Sequence, residues 1–216
     1  MGTEGMPSAS GIVYLFGDRF VNRARLGGET LVYGGAKVKQ NDLANQLLLA
    51  ALVDLVRAGH LHMERFEKKR LGIFTERDVE VTRSGEPGEP LYGLEAAVWE
   101  NISEKRDQDR VRQIVGRIIG SMCGNPWGVV VQRAKEGLLE QAFLATDKEV
   151  RRFAPDKIHW SANEELIAPH EGKVDEVKAM ISSFEAADPD LYKQLVDSVK
   201  GGIKDMLETA DYDDFD

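Results

Sequence analysis

Cysteine is almost missing from this chain: Cys123 is the only one in 216 residues. No intrachain disulfide can form, and no zinc site built from several cysteines. A thiol nucleophile needs a base beside it, and the sequence places none near Cys123, so structural filler is the reading that fits. Long apolar runs are missing too. The longest, Leu47 to Val53, stops at Asp54, far short of the roughly 20 residues that cross a bilayer. The opening Met1-Gly2-Thr3-Glu4-Gly5-Met6-Pro7-Ser8-Ala9-Ser10 has no cationic stretch followed by an apolar one. The expectation is therefore no secretory signal and a cytoplasmic protein. What is present, 42% hydrophobic and 30% charged residues, is enough to build a core and excludes disorder as the main state.

The formal net charge is −9, which repels nucleic acid and anionic lipid at long range, so either partner would need a local basic patch. Five of those negative charges sit in the tail at Glu208, Asp211, Asp213, Asp214 and Asp216. The body is only mildly acidic. Solvation of the terminus is the plain role for the tail; masking of a basic patch is the sharper one.

Spacing along the chain predicts a mainly α protein, a helical domain with two short β-hairpins in winged-helix-like units. Residues 1–10 read as a disordered leader, 11–207 as the single domain and 208–216 as the acidic tail. Ile12 to Phe16, followed by glycine-punctuated sequence to Gly35, reads as turns and short strands. From Asp42, taken as an N-cap, Leu43, Leu47, Ala50, Ala51, Asp54 and Leu55 recur at spacings of three and four up to Gly59, which predicts a helix of central, buried character. Past Gly59 the period becomes two, through a charged turn at Lys68-Lys69-Arg70 to Arg83, the pattern of a hairpin. Further helices are predicted over Leu91 to Ile102, from about Asp107 to Ile119, and from Trp127 to Leu139. A second charged wing follows at Lys148 to Trp160, turning around Ala154-Pro155-Asp156. Helix, short turn, leucine and wing thus occur twice, a repeat of shape and not of letters. The last quarter reads as two helices, the second opened by Asp188-Pro189 as N-cap and N1.

Enzyme signatures are absent. Gly27-Gly28 and Gly34-Gly35 form neither a dinucleotide fingerprint nor a Walker loop, and glycine pairs in turns explain them. His60 and His62 lack a third ligand placed by sequence, so no metal or cofactor is assigned. Gly116 and Gly120 have the spacing of close helix packing. Two winged units invite a DNA-binding reading. However, the helix before the first wing carries one cation, Arg57, among leucines, alanines and valines, and the wing from Glu64 to Glu86 balances six bases with six acids. Nucleic acid is the weaker partner.

One family matches these segments. Leu52-Val53-Asp54-Leu55-Val56-Arg57-Ala58-Gly59-His60-Leu61-His62-Met63-Glu64 resembles the Leu-x-Glu-Leu-x-x-x-Gly-Arg-Leu-x-hydrophobic-Glu stretch of the Golgi phosphoprotein 3 family, which has bacterial members. Pro87 to Ala96 is similar to its Gly-Asp-x-Leu-Leu-Asp-Glu-Ala-Leu loop, and Gln132 to Leu144 to its Arg-Leu-x-x-x-Leu-Val-x-x-Gly-Val-Leu helix end. The resemblance spans about half the chain, carried by the order and spacing of motifs that are individually common. It implies a mainly helical, non-enzymatic peripheral membrane adaptor that binds a phosphoinositide in a basic pocket and inserts a hydrophobic hairpin. The family's pocket arginines fall here at Leu48, Gly128 and Val131, leaving Arg133 as the basic residue near that site.

The second wing carries the expected contact. Lys148, Arg151, Arg152 and Lys157 outnumber Glu149 and Asp156, and Val150, Phe153, Ile158 and Trp160 interleave with them. Each cation near an anionic surface contributes about 1 kcal/mol, and inserted aromatics add an apolar gain. The expected contact set is Arg133, Lys148, Arg151, Arg152, Phe153, Lys157 and Trp160, the partner an anionic membrane surface or a phosphoinositide, with homo-oligomerisation supplying avidity. The competing readings are a hairpin whose aromatics pack on the core while its cations stay solvated, a winged-helix regulator, and a protein-interaction scaffold with an unidentified protein partner.

Overall fold

A computed structural model of the chain describes residues 5–70, 74–103, 109–120, 124–149 and 157–210. Helix α2, Gln40–Arg57, is the axis of the molecule. Ten of its side chains are buried, including the consecutive Leu47, Leu48 and Leu49. At 100° per residue, consecutive leucines point to different sides, so they can all be buried only if α2 is enclosed. The enclosure comes from α1 (Ala9–Leu15), α3 (Gly93–Glu100), α5 (Pro126–Glu140), α7 (Lys173–Ala187) and α8 (Pro189–Ala210). The helix starts earlier than the sequence predicts: Lys39 is the N-cap, and Asp42 lies in the first turn, where its carboxylate faces the Lys39 ammonium at 4.0 Å.

Two further expectations are corrected at the N-terminal side. Ile12 to Phe16 belongs to no strand; α1 is a helix capped by Ser8, whose Oγ accepts the Gly11 amide at 3.2 Å. All seven residues of α1 are buried, so it has no polar face and shows no helical period. Pro7, Ala9 and Ser10 are buried as well, which places the end of the expected leader inside the core.

The first hairpin is the longer. Strands β3 (Leu61–Arg70) and β4 (Phe74–Arg83) pair antiparallel from Leu61 opposite Arg83 to Arg70 opposite Phe74. Short strand β5, Asp109–Arg110, adds to β4 and leads directly into α4, Val111–Ile119, so the helix predicted from about Asp107 begins at Val111. Helix α8 clamps this sheet: the Gln194 amide donates to the Phe66 carbonyl at 2.8 Å and to the Asp78 carbonyl. The close packing predicted for Gly116 is met by Met206 of α8, while the tightest approach to α4 is made by Gly201 and Gly202, where an added Cβ would meet Arg112 and Val115. Two-residue strands β1 (Glu29–Thr30) and β2 (Lys37–Val38) brace the segment before α2.

The second hairpin joins β6, Leu144–Glu149, to β7, Lys157–Ala162; after it come the short α6, Glu164–Ile167, and then α7 and α8. Both hairpins leave their helices by the same chain reversal. At the end of α2 the Gly59 amide donates to Val56 (3.0 Å) and the His60 amide to Leu55 (2.9 Å). At the end of α5 the Ala142 amide donates to Leu139 (3.0 Å) and the Phe143 amide to Leu138 (2.9 Å). These are the paired bonds of a Schellman cap, and they satisfy carbonyls that a helix end leaves orphaned. No helix among the described residues is long and apolar enough to cross a membrane.

Candidate functional site

Hairpin β6–β7 stands out from the body. Leu144 is buried, but from Ala145 to Glu149 every residue of β6 is exposed, and in β7 only Trp160 and Ala162 are partly covered. Its base is tied down by the Asn163 amide, which donates to the Phe143 carbonyl at 2.9 Å, and by the buried Phe143 ring edge-on to His170 at 5.4 Å. Among the described residues β6 and β7 pair only with each other.

Antiparallel register sorts the side chains. Directly opposed residues share a face and the face alternates along the strand. Leu144 with Ala162, Thr146 with Trp160, and Lys148 with Ile158 lie on one face; Asp147 with His159 and Glu149 with Lys157 lie on the other. The first face climbs from the core outward. Leu144 is buried, Trp160 is half-buried, and Ile158 is 55% exposed. On the second face His159 Nε2 lies 3.0 Å from Glu149, so that carboxylate has a partner within the hairpin.

Trp160 is neither free nor entombed. The Lys135 ammonium, from α5, sits 4.4 Å above its ring and 3.7 Å from the Glu29 carboxylate of β1. Burial pushes the Lys135 ammonium below its ordinary range, and the Glu29 charge pulls it back up. One side chain thus joins the hairpin, α5 and strand β1. Nothing in the sequence marked Lys135, because its partners lie far away along the chain.

The structure separates Arg133 from this group. Residues two apart on a helix project about 200° from each other, so while Lys135 faces the hairpin, Arg133 pairs with Glu136 at 3.2 Å and lines a cleft shared with Glu100, Arg117 and Glu140. Those acids disfavour an anionic ligand. Leu48 and Val131 are buried in the core and present no polar atom to a headgroup. Lys148 and Trp160 share one face of the hairpin and Lys157 lies on the other; Arg151, Arg152 and Phe153 lie outside the described residues.

A larger cleft, about 820 Å³, lies elsewhere, between the start of α1, the end of α2, the Gly88–Tyr92 loop and α7. At its floor Glu95 is fully buried; it accepts the Ser10 amide at 2.8 Å and the Ser10 hydroxyl at 2.6 Å. Asp54 accepts the Ala9 amide, so two carboxylates meet the unpaired N–H groups at the head of α1. Burial raises both acids above the usual carboxylate range, against the hydrogen bonds that favour the charged form; the Arg57 charge pulls Asp54 back down, and the Asp54 charge raises Glu95 further. With both oxygens of Glu95 occupied, the pair anchors α1. Asp54 could have been suspected, since it interrupts the apolar stripe of α2; Glu95, 85 residues from Ser10, had no such signal. His60 packs edge-on to Trp99 at 6.3 Å and His62 lies 2.9 Å from Glu64. No group of three metal-ligating side chains occurs among the described residues.

Comparison with protein-family models, curated proteins and solved structures finds no match for this chain.

Proposed function

We propose that this protein is a non-enzymatic peripheral membrane adaptor of the Golgi phosphoprotein 3 type, which attaches to anionic lipid through hairpin β6–β7. One observation carries the reading. Ile158 is 55% exposed on a hairpin face that also holds Trp160 and Lys148. A β-branched apolar residue pointing outward beside a cation, on a ribbon whose strands pair only with each other among the described residues, suits a surface that is apolar inside and negative outside. The sequence between the strands continues the pattern with Val150, Arg151, Arg152 and Phe153. Each inserted apolar side chain contributes about 1.5–3 kcal/mol when fully buried, and each cation about 1 kcal/mol. Attachment by one hairpin is therefore weak and reversible, and a homo-oligomer or a bound protein partner would strengthen it by avidity.

The reading favours charge and insertion over recognition of a particular phosphoinositide, because Leu48 and Val131 are core residues and Arg133 faces acids. It is also favoured over DNA binding. A recognition helix needs an outward polar face, and the helix in that place, α2, is enclosed.

Liposome flotation tests the proposal. The protein should float with vesicles containing phosphatidylserine, less so as salt rises, and the Arg151→Glu/Arg152→Glu variant should stay behind. Absence of flotation in every lipid mixture overturns the reading, and a mobility shift on random duplex DNA at low salt would put the winged-helix alternative in its place.

A further inference from the structure

The described residues expose only a few large apolar side chains: Leu26 (93%), Met6 (59%), Ile158 (55%) and Leu139 (36%). Three of them lie on or just before the elements that the Lys135 side chain joins. Ile158 is two residues from Trp160, whose ring carries the Lys135 ammonium. Leu139 is one helical turn beyond Lys135 on the same face of α5. Leu26 is three residues before Glu29, the carboxylate that pairs with Lys135.

Leu26 sits at the tip of a constrained turn. The Ala24 amide donates to Lys37 at 2.9 Å and the Lys39 amide to Asn22 at 3.3 Å, which fastens both limbs. Gly27 and Gly28 follow with φ of 65° and 90°, and a Cβ on Gly28 would lie 2.3 Å from the Val38 carbonyl oxygen. A leucine held in water by a braced turn forgoes burial that a slack loop could recover by folding back. Its neighbours are cationic. Arg23, Arg25 and Lys37 are exposed around it; Arg23 pairs with Asp18 at 2.9 Å, and Arg25 and Lys37 enter no ion pair among the described residues. Glu29, the acid of this loop, is neutralised by Lys135.

We infer that the Arg23–Gly28 turn is a second membrane-contact element, which inserts Leu26 into an anionic bilayer while Arg25 and Lys37 meet lipid phosphates. It rests on the proposed function, and adds that the contact surface is built from two elements, the turn and hairpin β6–β7, held side by side by the Glu29–Lys135–Trp160 junction. Two weak contacts fixed in one rigid body act as a bivalent anchor. That offers a chain of net charge −9 a way to approach a negative surface, through exposed Leu26 and Ile158 and through Arg25 and Lys37, which enter no ion pair among the described residues.

The two elements can be read separately. In a Cys123→Ser background, L26C and I158C are each labelled with the environment-sensitive dye NBD and titrated with phosphatidylcholine vesicles with or without phosphatidylserine. Both labels should brighten and shift to the blue with the anionic vesicles. A responding label at 158 with a silent one at 26 overturns the second contact and leaves the hairpin reading intact. A responding label at 26 with a silent one at 158 supports the turn and removes the hairpin. Silence at both removes both. In the native-cysteine chain, Arg25→Glu/Leu26→Glu changes only exposed side chains and should weaken flotation by roughly tenfold or more; unchanged flotation of this variant overturns the inference.

Discussion

Gly59 and Ala142 occupy the same place in two copies of one device, the left-handed residue that ends a helix and turns the chain into a hairpin. Their φ angles are 76° and 63°, and Ala142 is the only non-glycine residue with positive φ among those described. The left-handed conformation costs an L-residue about 1 kcal/mol, and glycine nothing comparable. Ala142→Gly should therefore stabilise the protein, by up to about 1 kcal/mol, less the extra freedom glycine brings to the unfolded chain. Gly59→Ala should destabilise it by about 1 kcal/mol. Urea unfolding of both variants checks this; if Ala142→Gly were destabilised, the conformation given to the second cap would be wrong.

This pairing also shows what the sequence made legible. Helix, reversal, leucine and wing were readable twice because each step is local: a 3.6 period, a glycine or its stand-in, then a period of two. Helix α1 was not readable, since its seven residues are all buried and a helix without a polar side has no period to detect. The proposed contact set rests on a pattern visible in the sequence, cations interleaved with apolar residues on the second wing. Its partner in space was not. Leu26 looks in the sequence like one apolar residue among glycines, and only the fold brings its turn beside Trp160, through a lysine 109 positions further along.

The Ser10–Glu95 anchor gives a pH dependence with a definite sign. Burial raises the Glu95 carboxyl above its ordinary value, so between the unfolded and folded pKa the native state binds more protons. Stability is then fully present at low pH and is lost as pH rises through that window. Glu95→Gln keeps an acceptor for the Ser10 amide and removes the charge. Compared with this variant, the native protein should lose stability steadily from about pH 4 upward. Chemical denaturation of both proteins at several pH values measures the difference. A native protein that instead gains on the variant as pH rises would mean that the hydrogen bonds from Ser10, and not burial, dominate.

Gly137 should tolerate no side chain. A Cβ there would stand 2.4 Å from both the Cα and the amide nitrogen of Gly93, at the crossing of α5 with the start of α3. These are backbone atoms, so relief requires the helices to part. Gly137→Ala should cost about 1–3 kcal/mol or more, as overpacking does in well-filled cores. Gly124→Ala, where an added Cβ meets nothing, serves as the control. Equal midpoints in thermal unfolding would contradict this crossing.

Lys135 should matter more for the placement of the hairpin than for overall stability. Its ammonium bridges Glu29 and the Trp160 ring, and a half-buried cation over an aromatic face contributes about 0.5–2 kcal/mol. Lys135→Met keeps the aliphatic stem against Trp160 and removes the charge, leaving Glu29 without its partner. The expected loss of stability is about 1 kcal/mol, but the tryptophan signal should report more. Acrylamide should quench Trp160 more readily in Lys135→Met than in the native chain, measured with Trp99 and Trp127 replaced by phenylalanine. Membrane affinity should fall with it, because the turn and the hairpin would no longer be held in one geometry. If quenching and flotation both match the native protein, Lys135 does not join the two elements, and they act as separate contacts.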